Sequence, residues 1–273
     1  MKQILKIVLI SILTIFSFYY TEKIVDLSKN KDPIMKKIQS DKDINEIKPV
    51  NGIIEKDTIK VGTSGKIIDI DSSYEKMKKV NKYSENLLEY IDIKPKIKKD
   101  DNYDKLITGT ITNERKISFV FHSDNIFLIK QIVYIINKND IKATFYIDGK
   151  IIEDLKDLQS PNISIGMYSY NNIFSIISTK YMKNLLTKKY NYSNYCLYKD
   201  EKFLKICESF KINTIKPQLI EKNIYRYLKN NKEKGLIYQI KVNENNIREL
   251  NSTIIYLKQK GYKIEKIDDL LKE

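Results

Sequence analysis

IKATFYIDG, residues 141–149, is the stretch on which the reading of this chain turns. Its β-branched and aromatic residues favour a strand, and Gly149 ends it. Upstream, Ile117–Phe121 is a second apolar strand running into His122-Ser123-Asp124-Asn125. Downstream, Asn162–Met167 is a third, running into Tyr168-Ser169-Tyr170-Asn171-Asn172. Between the first two, Ile126, Ile129, Val133 and Ile136 fall on one helical face. Ile151–Leu158 predicts a short helix before Pro161. The alternation continues with a helical stripe of Phe174, Ile177, Tyr181 and Leu185, then a strand at Tyr195–Tyr198 and a helix at Glu201–Phe210. A strand at Ile212–Ile215, a helix at Gln218–Lys232 and a strand at Gly235–Ile240 follow. Ile247, Leu250, Ile254 and Leu257 line a helix that Gly261 terminates. Lys263–Ile267 is the last strand and Asp268–Lys272 a closing helix. Roughly seven strands alternating with helices require parallel pairing with right-handed crossovers. A closed or nearly closed β/α barrel and an open doubly wound sheet both satisfy that pattern.

The three segments together resemble the core of the polysaccharide deacetylase (NodB-homology) family. That family carries a Thr-Phe-Asp-Asp-Gly motif, an Ala-Thr-Phe-Phe strand and an Ile-Gly-Asn-His-Thr-Tyr-Ser-His motif. The resemblance covers residues 116–272, and 50–110 less specifically. It implies a distorted (β/α)7-type barrel with its site at the C-terminal ends of the strands. It also implies a divalent ion on one aspartate and two histidines, a carboxylate base and a late histidine that protonates the leaving amine.

The frame is present and the chemistry has been replaced. His122 stands at the base aspartate, Ser123 at the ligand aspartate, and Tyr168 and Asn172 at the two metal histidines. Asp124-Asn125 replaces the Gly-Pro that closes the first motif, and Lys241 stands at the late histidine. Tyr195–Tyr198 is the nearest counterpart of the Arg-x-Pro-Tyr segment. Because the chain has 1 histidine, no realignment supplies a pair of them. The expectation is therefore no metal, no cofactor and no catalytic residue, with a binding cleft around His122, Asp124, Tyr168 and Lys241. A triad of His122, Ser123 and Asp124 is excluded, since neighbours on an extended segment point to opposite faces. His122 and Asp124 share a face and could pair.

The N-terminus carries a membrane signal. Lys2 and Lys6 precede and interrupt an apolar run reaching Tyr20, and no small-residue cleavage site follows. Residues 1–24 are expected to form an uncleaved signal-anchor, residues 25–50 a linker, residues 51–115 a small α+β accessory segment and residues 116–273 the deacetylase-like domain. Ser72-Ser-Tyr-Glu75 has capping-box spacing for a helix to about Val80. The formal charge of +14, from 49 Lys+Arg against 35 Asp+Glu, would attract polyanions. The Lys-, Ile-, Asn- and Tyr-rich composition reads first as the codon bias of an AT-rich genome. No basic block or recurring aromatic-basic motif supports a nucleic-acid partner. Cys196 and Cys207 read as two buried thiols, although an exported domain would allow them to pair.

The resulting expectation is a single-pass membrane protein with its C-terminal domain outside the cytoplasm. It would be a polysaccharide deacetylase-like pseudoenzyme of the cell envelope that binds cell-wall glycan or an envelope protein. The alternative is an active hydrolase on carbon–nitrogen, non-peptide bonds, removing N-acetyl groups from sugars in carbohydrate metabolism.

Overall fold

From the N-terminus come α1 (Lys2–Lys31), α2 (Pro33–Ser40), α3 (Lys42–Asn45), β1 (Ile53–Glu55), β2 (Thr58–Val61) and β3 (Gly65–Asp69). Next are α4 (Ile70–Lys79), β4 (Glu89–Ile93) and β5 (Leu106–Thr110). The alternation runs through β6 (Lys116–His122), α5 (Ile126–Lys138), β7 (Ala143–Tyr146), α6 (Gly149–Ile152), β8 (Ile163–Met167), α7 (Ile176–Lys189), β9 (Tyr192–Leu197) and α8 (Glu201–Ser209). It closes with β10 (Asn213–Ile215), β11 (Gln218–Ile220), α9 (Ile224–Asn230), β12 (Ile237–Lys241), α10 (Glu244–Gln259), β13 (Lys263–Glu265) and α11 (Ile267–Leu270). This computed structural model describes residues 2–153, 155, 158–231 and 233–273, with backbone alone at 2–5 and 7–9.

The chain divides into two compact units, residues 1–48 with 65–93, and residues 49–64 with 94–273. The division differs from the expected boundary between 115 and 116. Residues 53–61 and 106–110 supply β1, β2 and β5 to the main sheet; β1–β2 is a local hairpin, while β2–β5 and β5–β10 pair across long sequence separations. In the smaller unit, the β3–β4 antiparallel pair and helices α2 and α4 bury Ile34, Met35, Ile38, Ile68, Tyr74, Met77 and Leu88. Helix α4 is capped by Asp69, whose carboxylate accepts from the Ser72 N–H at 3.0 Å and the Ser72 hydroxyl at 2.7 Å. The cap therefore lies three residues before the expected Ser72. The expected anchor falls partly on residues outside the described side chains. Over the described residues, no helix is long and apolar enough to cross a membrane.

The larger unit is built on an 11-stranded sheet in the order β1-β2-β5-β10-β9-β8-β7-β6-β12-β11, with β13 beside the start of β6. All its pairs are parallel except β1–β2. Alternate residues separate two cores, because side chains in a strand point to opposite faces in turn. Ile117, Phe119, Phe121, Ala143, Phe145, Ile163, Ile165 and Met167 face outward and pack with Ile129, Ile132, Val133 and Ile136 of α5, Leu250 and Ile254 of α10, and Met182 of α7. Each of the larger of these side chains, fully buried, is worth about 1.5–3 kcal/mol. Val120, Tyr146, Tyr195, Leu197, Ile215 and Ile237 face inward, with Ile59, Val61 and Ile107 and with Ile267 and Leu270 of α11.

The sheet is a curled half-barrel, a distorted form of the expected seven-strand barrel. Among the described residues β1 pairs with β2 alone and β11 with β12 alone, while β5 meets the entry of β12 through the isolated Gly109–Leu236 bridge. The curl still brings β5 to the entry of β12, where the Thr110 N–H donates to the Gly235 carbonyl at 2.8 Å. Gly235 has φ +73°, and a side chain there would strike the Thr110 carbonyl, so only glycine serves this close approach.

Three local expectations need correction. Gln218–Ile220 is strand β11 rather than the start of a helix, and α9 occupies Ile224–Asn230; Lys232, the end of that expected helix, lies outside the described residues. The expected helix Ile151–Leu158 also includes undescribed residues. In α7 the reciprocal capping of Ser175 and Ser178 sets the phase, so Ser178, Thr179, Met182, Leu185 and Leu186 are buried while Ile177 is 82% exposed. Cys196 of β9 and Cys207 of α8 are joined in a disulfide, against the reading of two thiols.

Candidate functional site

Because Val120 and Ile237 face inward, alternation places His122 and Lys241 on the same inner face. They are register partners on adjacent strands, at the C-terminal ends of β6 and β12. Tyr168, one residue past β8, packs on the same inner cluster. Three of the sequence-derived positions therefore converge on the mouth of the curl.

His122 is half-buried, and its Nδ1 lies 2.7 Å from the Tyr146 carbonyl oxygen. A carbonyl only accepts, so Nδ1 carries the proton and donates. The His122 ring packs against Tyr168 with centroids 4.3 Å apart and planes inclined by 51°. Tyr168 in turn meets Phe174 edge-on at 5.1 Å, and Phe174 meets Phe203 of α8 at 4.9 Å. The Lys199 ammonium sits 3.6 Å from the Phe174 centroid, a cation–π contact. Burial, then the charges of Asp124 and Asp148, push the Tyr168 phenol above the ordinary tyrosine value.

Ser123, Asp124 and Asn172 are placed differently. The Ser123 hydroxyl accepts from the Asn125 N–H at 3.1 Å, while the Asn125 side chain caps α5. These groups organise the strand-to-helix turn. Asp124 is exposed and makes no hydrogen bond to His122, whose Nδ1 is committed to the strand backbone. Asn172 is exposed and left-handed, with φ 58°.

The residue that sequence reasoning missed is Asp148. It is 3% exposed and accepts four hydrogen bonds. These come from the Ser169 hydroxyl at 2.6 Å, the Asn172 N–H at 2.7 Å, the Asn171 N–H at 3.0 Å and the Lys150 N–H at 3.0 Å. Asn171 and Asn172 are both left-handed, so their successive N–H groups form a nest around the carboxylate. Burial raises the Asp148 pKa, but the four donors outweigh it and hold the group below the usual carboxylate range. The available signal was an acidic residue ending an apolar strand, which must find donors once buried. Beneath the mouth, the Tyr146 ring lies across Gly166 so closely that a Cβ there would collide with it.

A divalent ion of the kind implied by the resemblance does not fit these residues. Such a site needs three protein ligands, as imidazole, thiolate or carboxylate. Here one imidazole is accompanied by a neutral phenol, an amide and a hydroxyl engaged in a turn. Among the described residues, no three His, Cys, Asp or Glu side chains converge in a group able to hold a metal.

No protein-family model matches the chain. It is 27% identical over 155 residues to the uncharacterised protein YlxY of Bacillus subtilis (strain 168), covering 54% of this chain and 48% of that protein, so the match spans about half of that relative's length. Among solved structures, wild-type BA3943 of Bacillus anthracis, a CE4 family pseudoenzyme, superposes with a TM-score of 0.64 at 22% identity, over 89% of this chain and 96% of that one. A mutant of BA3943 with restored enzymatic activity gives a TM-score of 0.65 at 22% identity, over 89% and 99% of the two chains. Bacillus subtilis PdaA, a family 4 carbohydrate esterase, gives 0.54 at 19% identity, over 63% and 87%. The fold is that of the CE4 proteins.

Proposed function

We propose that this CE4-fold chain is a degenerate polysaccharide deacetylase-like protein that has lost metal catalysis and binds a cell-wall glycan at the mouth of its curl. Its N-terminal helix would tether it to the cell membrane with the folded units outside the cytoplasm. The Cys196–Cys207 disulfide suits such an oxidising compartment. The observation that carries the reading is the His122–Tyr168–Phe174 stack, which puts packed rings where the resemblance expects a metal ligand. Tyr168 and Phe174 are only partly buried, so their rings would be open to contact with sugars. The test is to measure zinc content and N-acetylglucosamine release of acetate with the purified full chain, alongside calorimetric titration with wall-derived oligosaccharides. Binding without stoichiometric metal or turnover is expected; metal together with turnover rejects the reading. Glycan-free capture of an envelope protein on the same face would replace the ligand and keep the fold-level claim.

A second reading has one observation in its favour. With Nδ1 donating to the Tyr146 carbonyl, a neutral His122 keeps its Nε2 lone pair as an acceptor, as a general base for carbon–nitrogen bond hydrolysis requires. Asp124 would not orient it. His122→Ala must then abolish a measurable amidohydrolase activity, and activity that is absent from the start or survives the change rejects this reading.

A further inference from the structure

The segment between β8 and α7 displays aliphatic side chains that the core does not use. Ile173, Ile176 and Ile177 are exposed, and Ile177, at 82%, is the most exposed large apolar side chain among the described residues. Tyr181, one turn further along α7, is exposed as well. Hydrogen bonds fix this display. The Ser175 N–H donates to the Ser178 hydroxyl at 2.9 Å, and the Ser178 N–H to the Ser175 hydroxyl at 3.1 Å. The Ser178 hydroxyl donates to the Ile173 carbonyl at 2.9 Å, and the Ile173 N–H to the Tyr170 carbonyl at 3.0 Å. The isoleucines are therefore held in water by design of the cap, and grouped exposed apolar side chains mark an interaction surface.

The charge around them identifies the partner. Between Asp157 and Asp200 the sequence has no Asp or Glu and five lysines. On α7, Lys180 is exposed and Lys183 half-buried, and neither is ion-paired among the described residues. The Tyr181 hydroxyl donates to Glu153 at 3.4 Å, which sets one carboxylate at the edge of this face against those cations. Along the helix, Lys180 stands about 5 Å and Lys183 about 9 Å behind Ile177. An apolar tip backed by ammonium groups one and two turns behind fits an anionic lipid surface. The isoleucines enter to about 5–10 Å while the lysines reach the phosphates. A second copy of the chain on this face would set the same lysines against one another.

We propose that Ile173, Ile176 and Ile177, with Lys180 and Lys183, form a docking surface for an anionic phospholipid bilayer. The contact needs neither a glycan in the mouth nor insertion of the N-terminal helix. The chain contains no tryptophan, so Ile177→Trp in the full chain gives a fluorophore at the tip alone, and Ile176→Trp gives a second. Both side chains are exposed, so unchanged thermal unfolding is expected and checks folding. With phosphatidylglycerol vesicles the emission should move to the blue and be quenched by brominated acyl chains; with phosphatidylcholine vesicles it should not. Tyr134→Trp, on the exposed side of α5, should stay unshifted. Lys180→Gln and Lys183→Gln should each raise the lipid concentration at half-maximal shift about fivefold. Both reporters remaining in water while the chain sediments with vesicles overturns the proposal, as does absence of any vesicle binding. Equal shifts at positions 134 and 177 overturn it as non-specific adsorption. Equal shifts in the two lipids overturn the assignment to the lysines. A shift that grows with protein concentration in the absence of vesicles assigns the face to a second copy and overturns the lipid reading.

Discussion

Strands β7 and β12 flank β6 on its two sides and end at the same level, yet their polar tips are used in opposite ways. Past β7, the Asp148 carboxylate is buried and saturated by four donors. At the end of β12, the Lys241 ammonium is exposed and unpaired. A buried charge survives only when its hydrogen bonds are satisfied, so Asp148 holds shape. An exposed charge costs nothing to leave open, so Lys241 carries no such structural duty.

The comparison breaks most directly at Asp148. Asp148→Ala strands several N–H groups of the 169–172 loop and should lower stability by about 3–4 kcal/mol, with loss of the Tyr168 ring contacts. Urea unfolding and the aromatic region of an NMR spectrum check this, and a loss below about 1 kcal/mol would remove the contrast between the two tips. Cys196→Ser with Cys207→Ser removes the link between β9 and α8, the helix carrying Phe203, and should cost about 2–3 kcal/mol by the same measurement. Gly166→Ala pushes into the Tyr146 ring, and about 1–3 kcal/mol of overpacking is expected; Tyr146→Phe, which removes a buried hydroxyl without a partner, should be neutral or slightly stabilising.

A pH series sharpens the same contrast. The Asp148 pKa is depressed in the folded state, so its contribution is present above the unfolded carboxylate value of about 3.9. It is lost as pH falls through the lower folded value. Stability should therefore drop more steeply below about pH 4 in the wild type than in Asp148→Asn. The smallest effect belongs to Lys241→Gln, which should leave stability within about 0.5 kcal/mol.

The sheet was legible where strands are buried on both faces. Ile117–Phe121, the 141–149 stretch and Asn162–Met167 all appear as expected, because continuous apolar runs need little context. The resemblance implied a common cleft for His122 and Lys241, and the structure makes them register partners at the ends of β6 and β12. The α7 stripe failed because two serines fixed the helical phase by hydrogen bonding, a signal that hydrophobic periodicity does not contain. The placement of β2 and β5 was hidden for another reason: strands of four and five residues pair across long sequence separations. Asp148 was hidden because three of its four donors are backbone N–H groups, which every residue except proline possesses.

The ring of Tyr146 across Gly166, with Val120 and Tyr195 buried beside it, also limits depth. It makes the mouth a dish rather than a shaft. A polymer strand bound as proposed would lie across a dish anywhere along its length and would need no free chain end.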